Sequence, residues 1–140
     1  MSKKVIRSMI AVILAINIMV MPICASSDIQ VYSTSVEPRF NNIGAATLTI
    51  GFDSNYVAYC AISLTSYSHC TGFDGMMRLF DSNGTQLKSW AISDYTEPYG
   101  VEKTWQCEYG KTYTVTFQGY AYGTNSMYDE INLSLSDKCE

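Results

Sequence analysis

The 140-residue chain is poor in the side chains that usually hold metals or carry out hydrolysis. It has one histidine, His69, and no CxxC pair, so the paired ligands of a zinc site are missing, and no Ser-His-Asp set is indicated. Carboxylates in predicted turns are the alternative for calcium, but they form no dense Asp-x-Asp-x-Asp-Gly ligand run. We therefore expect no metal, no cofactor and no enzyme. The carboxylates considered for calcium are Asp53, Asp74, Asp81, Asp94 and Asp129.

A secretory leader is predicted at the N-terminus. Three basic residues precede an apolar run over residues 9–21, which Pro22 ends, and the small Ala25 follows. This order is typical of a signal peptide, and the run is shorter than the roughly 20 residues of a membrane-spanning helix. We predict cleavage after Ala25 and a secreted protein that meets the membrane only through the leader. The alternatives are an uncleaved anchor and a lipoprotein on Cys24.

Basic residues are scarce in the expected mature chain, residues 26–140. Six basic residues stand there against 13 acidic ones, a net charge of −7. Nucleic acid and anionic membrane surfaces repel such a chain, so neither is an expected partner. The length suits one domain, which we place at residues 44–140 after a signal at 1–25 and a polar lead-in at 26–43.

Four cysteines remain after the leader: Cys60, Cys70, Cys107 and Cys139. An even number in a small exported domain predicts two disulfides, and the sequence leaves three pairings open. We favour Cys60–Cys107, because both fall on apparent inward strand positions, and Cys70–Cys139, which would hold the C-terminal end. An oxidised Cys70 cannot serve as a nucleophile beside His69, so His69 is expected to be a solvated loop residue.

Alternating apolar and polar residues predict β-strands throughout the mature chain, and no segment after the leader has a helical period. Residues 107–122 show the pattern best: Tyr113, Val115 and Phe117 face one side, and threonines face the other. The fold class is all-β, an antiparallel two-sheet sandwich of seven or eight strands, with a small β-barrel as runner-up. The predicted strands are 44–52, 56–64, 76–80, 85–93, 101–107, 107–122 and 130–136, with an edge strand near 29–32 and an irregular stretch at 65–75.

Two resemblances accompany this pattern. Residues 110–117, GKTYTVTF, resemble the Gly-x-x-Tyr-x-Val-x-Phe penultimate strand of fibronectin type III and immunoglobulin-like sandwiches. That resemblance implies that Tyr113 is a corner tyrosine, whose hydroxyl bonds back to the chain. The mature chain also resembles a group of small exported proteins of Gram-positive bacteria, in residues 74–79, 87–90 and 110–113, which implies a bacterial source and no particular activity.

Tyrosine is unusually frequent, with eleven in the chain. Several tyrosines are expected on solvent-exposed strand faces or in loops. Flat rings beside Asn, Asp and Gln side chains can stack on sugar rings and can equally make contacts with proteins. The alternative is cross-strand ring pairing that only stabilises a sheet. The face taken by the tryptophan of the fourth predicted strand stays open. The candidate ligand-binding residues are Tyr120, Tyr122, Tyr95, Tyr99 and Trp90.

These observations predict a secreted, non-catalytic β-sandwich that binds carbohydrate or an extracellular protein. The leading alternative is a secreted effector, inhibitor or toxin-like protein, which would act on a protein partner through a loop such as residues 65–75. A small hydrolase is a third hypothesis.

Overall fold

The computed structural model describes residues 40–140, which form seven antiparallel strands in two sheets. One sheet has the order β1-β2-β5 and the other the order β4-β3-β6-β7. The sheets pack face to face without closing on each other, so the two-sheet sandwich is confirmed and the barrel is not the architecture. The strands are β1 (Ile43–Phe52), β2 (Val57–Ser66), β3 (Cys70–Phe80), β4 (Gln86–Asp94), β5 (Gly100–Gln106), β6 (Thr112–Gly123) and β7 (Tyr128–Lys138).

The predicted leader, its cleavage site and the edge strand near residues 29–32 lie outside the described residues, so they remain predictions. Within residues 40–140, no helix is long and apolar enough to cross a membrane.

The core lies between the two sheets and is built from alternate strand positions. On β6, Tyr113, Val115 and Phe117 are buried, as the alternation predicts. The ring of Phe117 meets that of Phe73 of β3 edge to face, with centroids 6.0 Å apart. Burying such a side chain contributes about 1.5–3 kcal/mol, so the alternating pattern itself drives the two sheets together.

Tyr113 also makes the backbone contact that its resemblance to a corner tyrosine implies. Its side chain is buried, and its hydroxyl accepts a hydrogen bond of 2.8 Å from the backbone N–H of Glu108. The bond fixes the turn that leads into β6 and satisfies a polar group that burial would otherwise leave unpaired.

Aspartates close the two hairpin turns that composition predicts. Asp81 accepts hydrogen bonds from the N–H groups of Asn83 and Thr85, each 2.9 Å, and Gly84 has the positive φ of 79° that the turn requires. Asp53 makes the equivalent bonds in the turn between β1 and β2, again at 2.9 Å.

Tyr56 departs from the predicted inward position. It lies before β2 with a φ of 62°, and its side chain is 41% exposed. The left-handed backbone conformation breaks the alternation one residue before the strand begins, so the ring turns outward. The rest of the predicted inward set on this strand is buried: Ala58, Cys60, Ile62 and Leu64.

The prediction of an irregular stretch over residues 65–75 is wrong. β2 continues to Ser66, β3 begins at Cys70, and only residues 67–69 connect them, closed by a 2.9 Å bond from the N–H of Cys70 to the carbonyl of Tyr67. The stretch looked irregular because its polar side chains face water, while its backbone is held by neighbouring strands that are distant in sequence. The loop suggested for an effector is therefore a three-residue turn.

The four cysteines are buried thiols that do not all lie together. Cys70 pairs across β6 with Gly123, whereas Lys138, next to Cys139, pairs with Thr112 at the other end of β6. Eleven strand residues span about 36 Å, and a disulfide needs Cα atoms within about 7 Å. The favoured Cys70–Cys139 pairing is thus wrong.

The other three thiols lie toward the opposite end of the core, but the register separates Cys60 from Cys107. Cys60 pairs with Lys103, four residues before Cys107, which is about 13 Å along the strand direction. Cys107 instead lies beside Tyr56, whose carbonyl accepts a bond from its N–H. Burial is the main cause that raises the pKa of Cys60 to about 12. Burial, and next Cys139, raise the pKa of Cys107 to about 11. A disulfide needs Cα atoms within about 7 Å, so the favoured Cys60–Cys107 pairing does not fit the register either.

A buried carboxylate anchors the start of β1 against β7. Asp129 accepts hydrogen bonds from three consecutive backbone N–H groups, those of Asn41 (2.7 Å), Asn42 (2.6 Å) and Ile43 (3.2 Å). The side-chain amide of Asn42 in turn donates to the carbonyl of Met127 at 3.0 Å. Charge-assisted bonds of this kind join the two sheets along the side opposite β4 and β5.

Candidate functional site

The outer face of the four-stranded sheet collects the polar and aromatic side chains into rows. Because side chains on one face occur at every second residue, paired residues of β3, β6 and β7 stand side by side across the sheet. Four rows follow one another along the strands, in the order β3, β6, β7: Gly72–Tyr122–Tyr128, Asp74–Tyr120–Glu130, Met76–Gln118–Asn132 and Arg78–Thr116–Ser134. We call this surface the row face.

Asp74 holds two tyrosines of the row face in place. Its Oδ1 accepts a 3.0 Å hydrogen bond from the hydroxyl of Tyr122, and its Oδ2 accepts one of 3.2 Å from the hydroxyl of Tyr95. Burial, and next the bond to Asp74, raise the pKa of both phenols, so both stay protonated donors at neutral pH. One carboxylate thus fixes two rings, one from β6 and one from the connection between β4 and β5.

Tyr95 reaches the row face from the connection between β4 and β5. Its ring lies against the backbone of Gly72, and a Cβ on Gly72 would overlap the ring. Gly72 also has a φ of 145°, which disfavours other residues. The glycine therefore makes room for a ring that remains 60% exposed, and Tyr95 fills the place beside Tyr122 that Gly72 leaves empty.

Tyr120 and Tyr128 form the second aromatic pair of the row face. Their ring centroids are 5.3 Å apart and their planes are at 89°, an edge-to-face contact. Such a pair stabilises the sheet, as the cross-strand alternative expects. The two rings nevertheless stay 42% and 63% exposed, so they also present apolar surface to a ligand.

A shallow groove of about 380 Å³ lies beside Tyr120. Below it, Gly75 and Gly119 are paired on the inner side of β3 and β6, and a Cβ on Gly119 would overlap the carbonyl of Asp74. The strands therefore approach closely under the groove only because both residues are glycine. The lining residues are Asp74, Gly75, Met76, Gln118, Gly119, Tyr120, Glu130 and Asn132.

The polar side chains of the groove hold each other in position. Asn132 donates from Nδ2 to Glu130 Oε1 at 2.7 Å, and Arg78 donates from Nη1 to Gln118 Oε1 at 2.9 Å. Side chains held by neighbours lose less conformational entropy when they bind a ligand. The groove thus offers amide, carboxylate and hydroxyl groups next to an aromatic ring.

Three of the five predicted site residues lie on the row face, and two do not. Tyr120, Tyr122 and Tyr95 are brought together as described. Trp90 pairs with the buried Met77 and packs half-buried against the core, so its predicted site role does not fit. A register shift between Leu79 and Phe80 in the β3–β4 ladder breaks the alternation there, which is why the sequence left the face of Trp90 open.

Tyr99 does not fit a site role either. Its side chain is only 6% exposed, and its hydroxyl donates to the carbonyl of Cys70 at 3.1 Å. The position in a polar connection suggested exposure, but the ring turns inward and closes one end of the core.

Sequence reasoning missed the polar members of the row face and Tyr128. Asp74 looked like a turn residue, and the register across β3, β6 and β7 is needed to bring it beside Tyr120. Local signals existed for two of them, because the alternation in β6 already placed Gln118 outward and that in β7 placed Asn132 outward. The missed residues are Asp74, Gln118, Tyr128, Glu130 and Asn132.

The described residues offer no cluster for a metal: within 40–140, no three His, Cys, Asp or Glu side chains come together as ligands. His69 stacks on Tyr67 with centroids 5.9 Å apart, and its Nε2 lies 2.7 Å from the carbonyl of Asn41. Cys70 next to it directs its thiol at the carbonyl of Gly72, 3.9 Å away. The thiol of Cys70 therefore bonds to the backbone and not to His69.

No family model, curated protein or solved structure matches this chain. The protein is therefore characterised by its fold, a two-sheet antiparallel sandwich, and by the aromatic and polar outer face of its larger sheet.

Proposed function

We propose that the protein is a secreted, non-catalytic module that binds carbohydrate on the row face. The observation that carries the proposal is the alignment of exposed tyrosine rings with amide and carboxylate side chains along one open groove. The C–H faces of sugar rings pack on aromatic rings, while sugar hydroxyls bond to amides and carboxylates. The row face supplies both kinds of contact within one sheet.

The fixed geometry supports a binding role. Asp74 holds Tyr95 and Tyr122, and Tyr120 leans edge-on against Tyr128. Rings held in this way bind with little further loss of conformational freedom. A chain that needed tyrosine only for sheet stability would gain nothing from leaving Tyr128 63% exposed.

A protein partner is the second hypothesis, because exposed tyrosines are also common in protein interfaces. The binding hot spots of such interfaces are anchors that fill well-packed, desolvated pockets. The row face offers instead a shallow groove with mostly polar lining, which favours a sugar chain over a protein.

The proposal is tested by a binding screen of the purified secreted protein against peptidoglycan, teichoic acids, and plant and mucin glycans, with and without calcium. We expect saturable binding to one glycan class and a loss of about fivefold to tenfold in affinity for Tyr120→Ala, the scale of one aromatic contact. Tyr59→Ala is the matched control, since Tyr59 is an exposed strand tyrosine on the other sheet.

Two results would contradict the proposal. One is an absence of binding to every glycan in the panel. The other is binding that Tyr120→Ala and Tyr59→Ala weaken equally while both variants keep the stability of the parent protein, because the row face would then not be the site.

A further inference from the structure

Two carboxylates stand on either side of Tyr120 in one row of the row face. Asp74 is the Cα partner of Tyr120 on β3, and Glu130 is its Cα partner on β7. Neighbouring strands are about 4.8 Å apart, so the Cα atoms of the two acidic residues are separated by about 10 Å, with that of Tyr120 between them. All three residues line the same groove.

Neither carboxylate has a cationic partner among residues 40–140. The ion pairs found there join Lys111 to Glu108 and Lys138 to Glu140, at the end of the sheet remote from this row. Asp74 accepts only phenol hydroxyls, and Glu130 accepts only the amide of Asn132.

The one cation on the row face lies two rows away. Arg78 is four residues along β3 from Asp74, about 13 Å between Cα atoms, and its guanidinium is bonded to Gln118. The row of Asp74, Tyr120 and Glu130 is therefore a pair of negative charges with nothing positive between them.

A cation placed over Tyr120 would be attracted by three groups at once. The acidic residues stand one strand spacing, about 4.8 Å between Cα atoms, to either side, and the ring would add a cation–π contact, which acts within about 6 Å of the ring centroid. A neutral sugar at the same place gains only the stacking contact. The row therefore selects for a positively charged group on the ligand.

We infer that the ligand is a glycan that carries protonated amino groups, with one ammonium group over Tyr120 between Asp74 and Glu130. This inference rests on the proposed carbohydrate function and names the class of sugar. The adjacent row of Gln118 and Asn132 supplies amides for the hydroxyls of the same or the next sugar unit.

The test compares two β-1,4-linked glucosamine oligomers of equal length, one with free amines and one fully N-acetylated, by titration calorimetry at a mildly acidic pH at which the amines of the first oligomer are protonated. We expect the free-amine oligomer to bind about tenfold more tightly at low salt, the combined scale of exposed ion pairs and a cation–π contact. The advantage should largely disappear at about 1 M salt.

Glu130→Gln is the variant that tests the row, because it keeps the shape of Glu130 and leaves the tyrosines on Asp74 untouched. It should reduce the preference for the free-amine oligomer at least threefold, about the contribution of one exposed ion pair. Glu102→Gln is the matched control: it makes the same charge change on β5 of the other sheet, where Glu102 is exposed. It should leave the preference unchanged.

Several outcomes would overturn the inference. Equal binding of both oligomers would show that charge plays no part, while leaving the carbohydrate proposal intact. Equal losses in Glu130→Gln and Glu102→Gln would assign the preference to overall charge. A lysine tetramer that binds as tightly as the free-amine oligomer would remove the requirement for a sugar. A protein that binds neither oligomer nor any glycan of the panel would overturn both proposals.

Discussion

The buried carboxylate of Asp129 gives the sharpest stability prediction. It accepts hydrogen bonds from the N–H groups of Asn41, Asn42 and Ile43, and both Asn42 and Ile43 are fully buried. Asp129→Ala removes the acceptor to which these two buried N–H groups donate within residues 40–140. It also frees the start of β1 from β7.

The expected cost follows from those two groups. A buried donor left without a partner costs about 1–3 kcal/mol, so the two together cost about 2–6 kcal/mol, and the part-buried bond to Asn41 adds less. A domain of this size has about 5–15 kcal/mol of stability. Asp129→Asn, which keeps one good acceptor oxygen, should cost about half as much as Asp129→Ala.

Urea unfolding followed by tyrosine and tryptophan fluorescence measures the difference. Asp137→Ala is the control on the same strand, because the carboxylate of Asp137 bonds only to the neighbouring exposed N–H of Lys138. It should stay within about 0.5 kcal/mol of the parent protein. A loss below about 1 kcal/mol for Asp129→Ala would refute the reasoning, since the buried N–H groups would then have found other partners at no cost.

Three further predictions follow from the fold. Gly119→Ala should lower the free energy of unfolding by about 1–3 kcal/mol, because its Cβ would overlap the carbonyl of Asp74; an unchanged urea midpoint would contradict the close approach of β3 and β6. Peptide mapping of the oxidised protein should find no Cys70–Cys139 disulfide, since the two residues lie at opposite ends of β6, and such a link would contradict the strand register. The hydrogen bond from the backbone N–H of Val57 is the main cause that lowers the pKa of Asp53. The stability that this carboxylate contributes is therefore present above its unfolded pKa of about 3.9 and is lost as the pH falls through its lower folded pKa. NMR titration checks the sign, and a folded pKa of Asp53 at or above about 3.9 would be the contrary result.

Local pattern was enough to predict most of the strands. The inward set on β6 and the turn at Asp81 and Gly84 depend on neighbouring residues only, so alternation and turn chemistry revealed both. The beginning of β3 was missed for the opposite reason. Residues 70–75 hold two glycines, a threonine and an aspartate around Cys70 and Phe73, so they show little alternation, and they form a strand because β4 and β6 pair with them.

The candidate site likewise has one part that local pattern predicts and one part that depends on contacts between distant residues. The outward positions of Tyr120 and Tyr122 follow from the alternation along β6, so they were predictable. The bonds that gather Tyr95 and Tyr122 on Asp74 were not, because they join residues 21 and 48 positions apart in the chain. The face of Trp90 stayed open in the sequence because a register shift earlier in β4, between the partners of Leu79 and Phe80, breaks the alternation that leads to it.

The central claim is that the outer face of the four-stranded sheet is the binding surface. NMR shift mapping with the glycan identified in the screen tests it most directly. The account predicts that the shifted amides cluster in the rows of Asp74, Tyr120 and Gln118, with none on the outer face of the other sheet around Tyr59. Shifts centred on Tyr59, with Tyr120 unchanged, would contradict it.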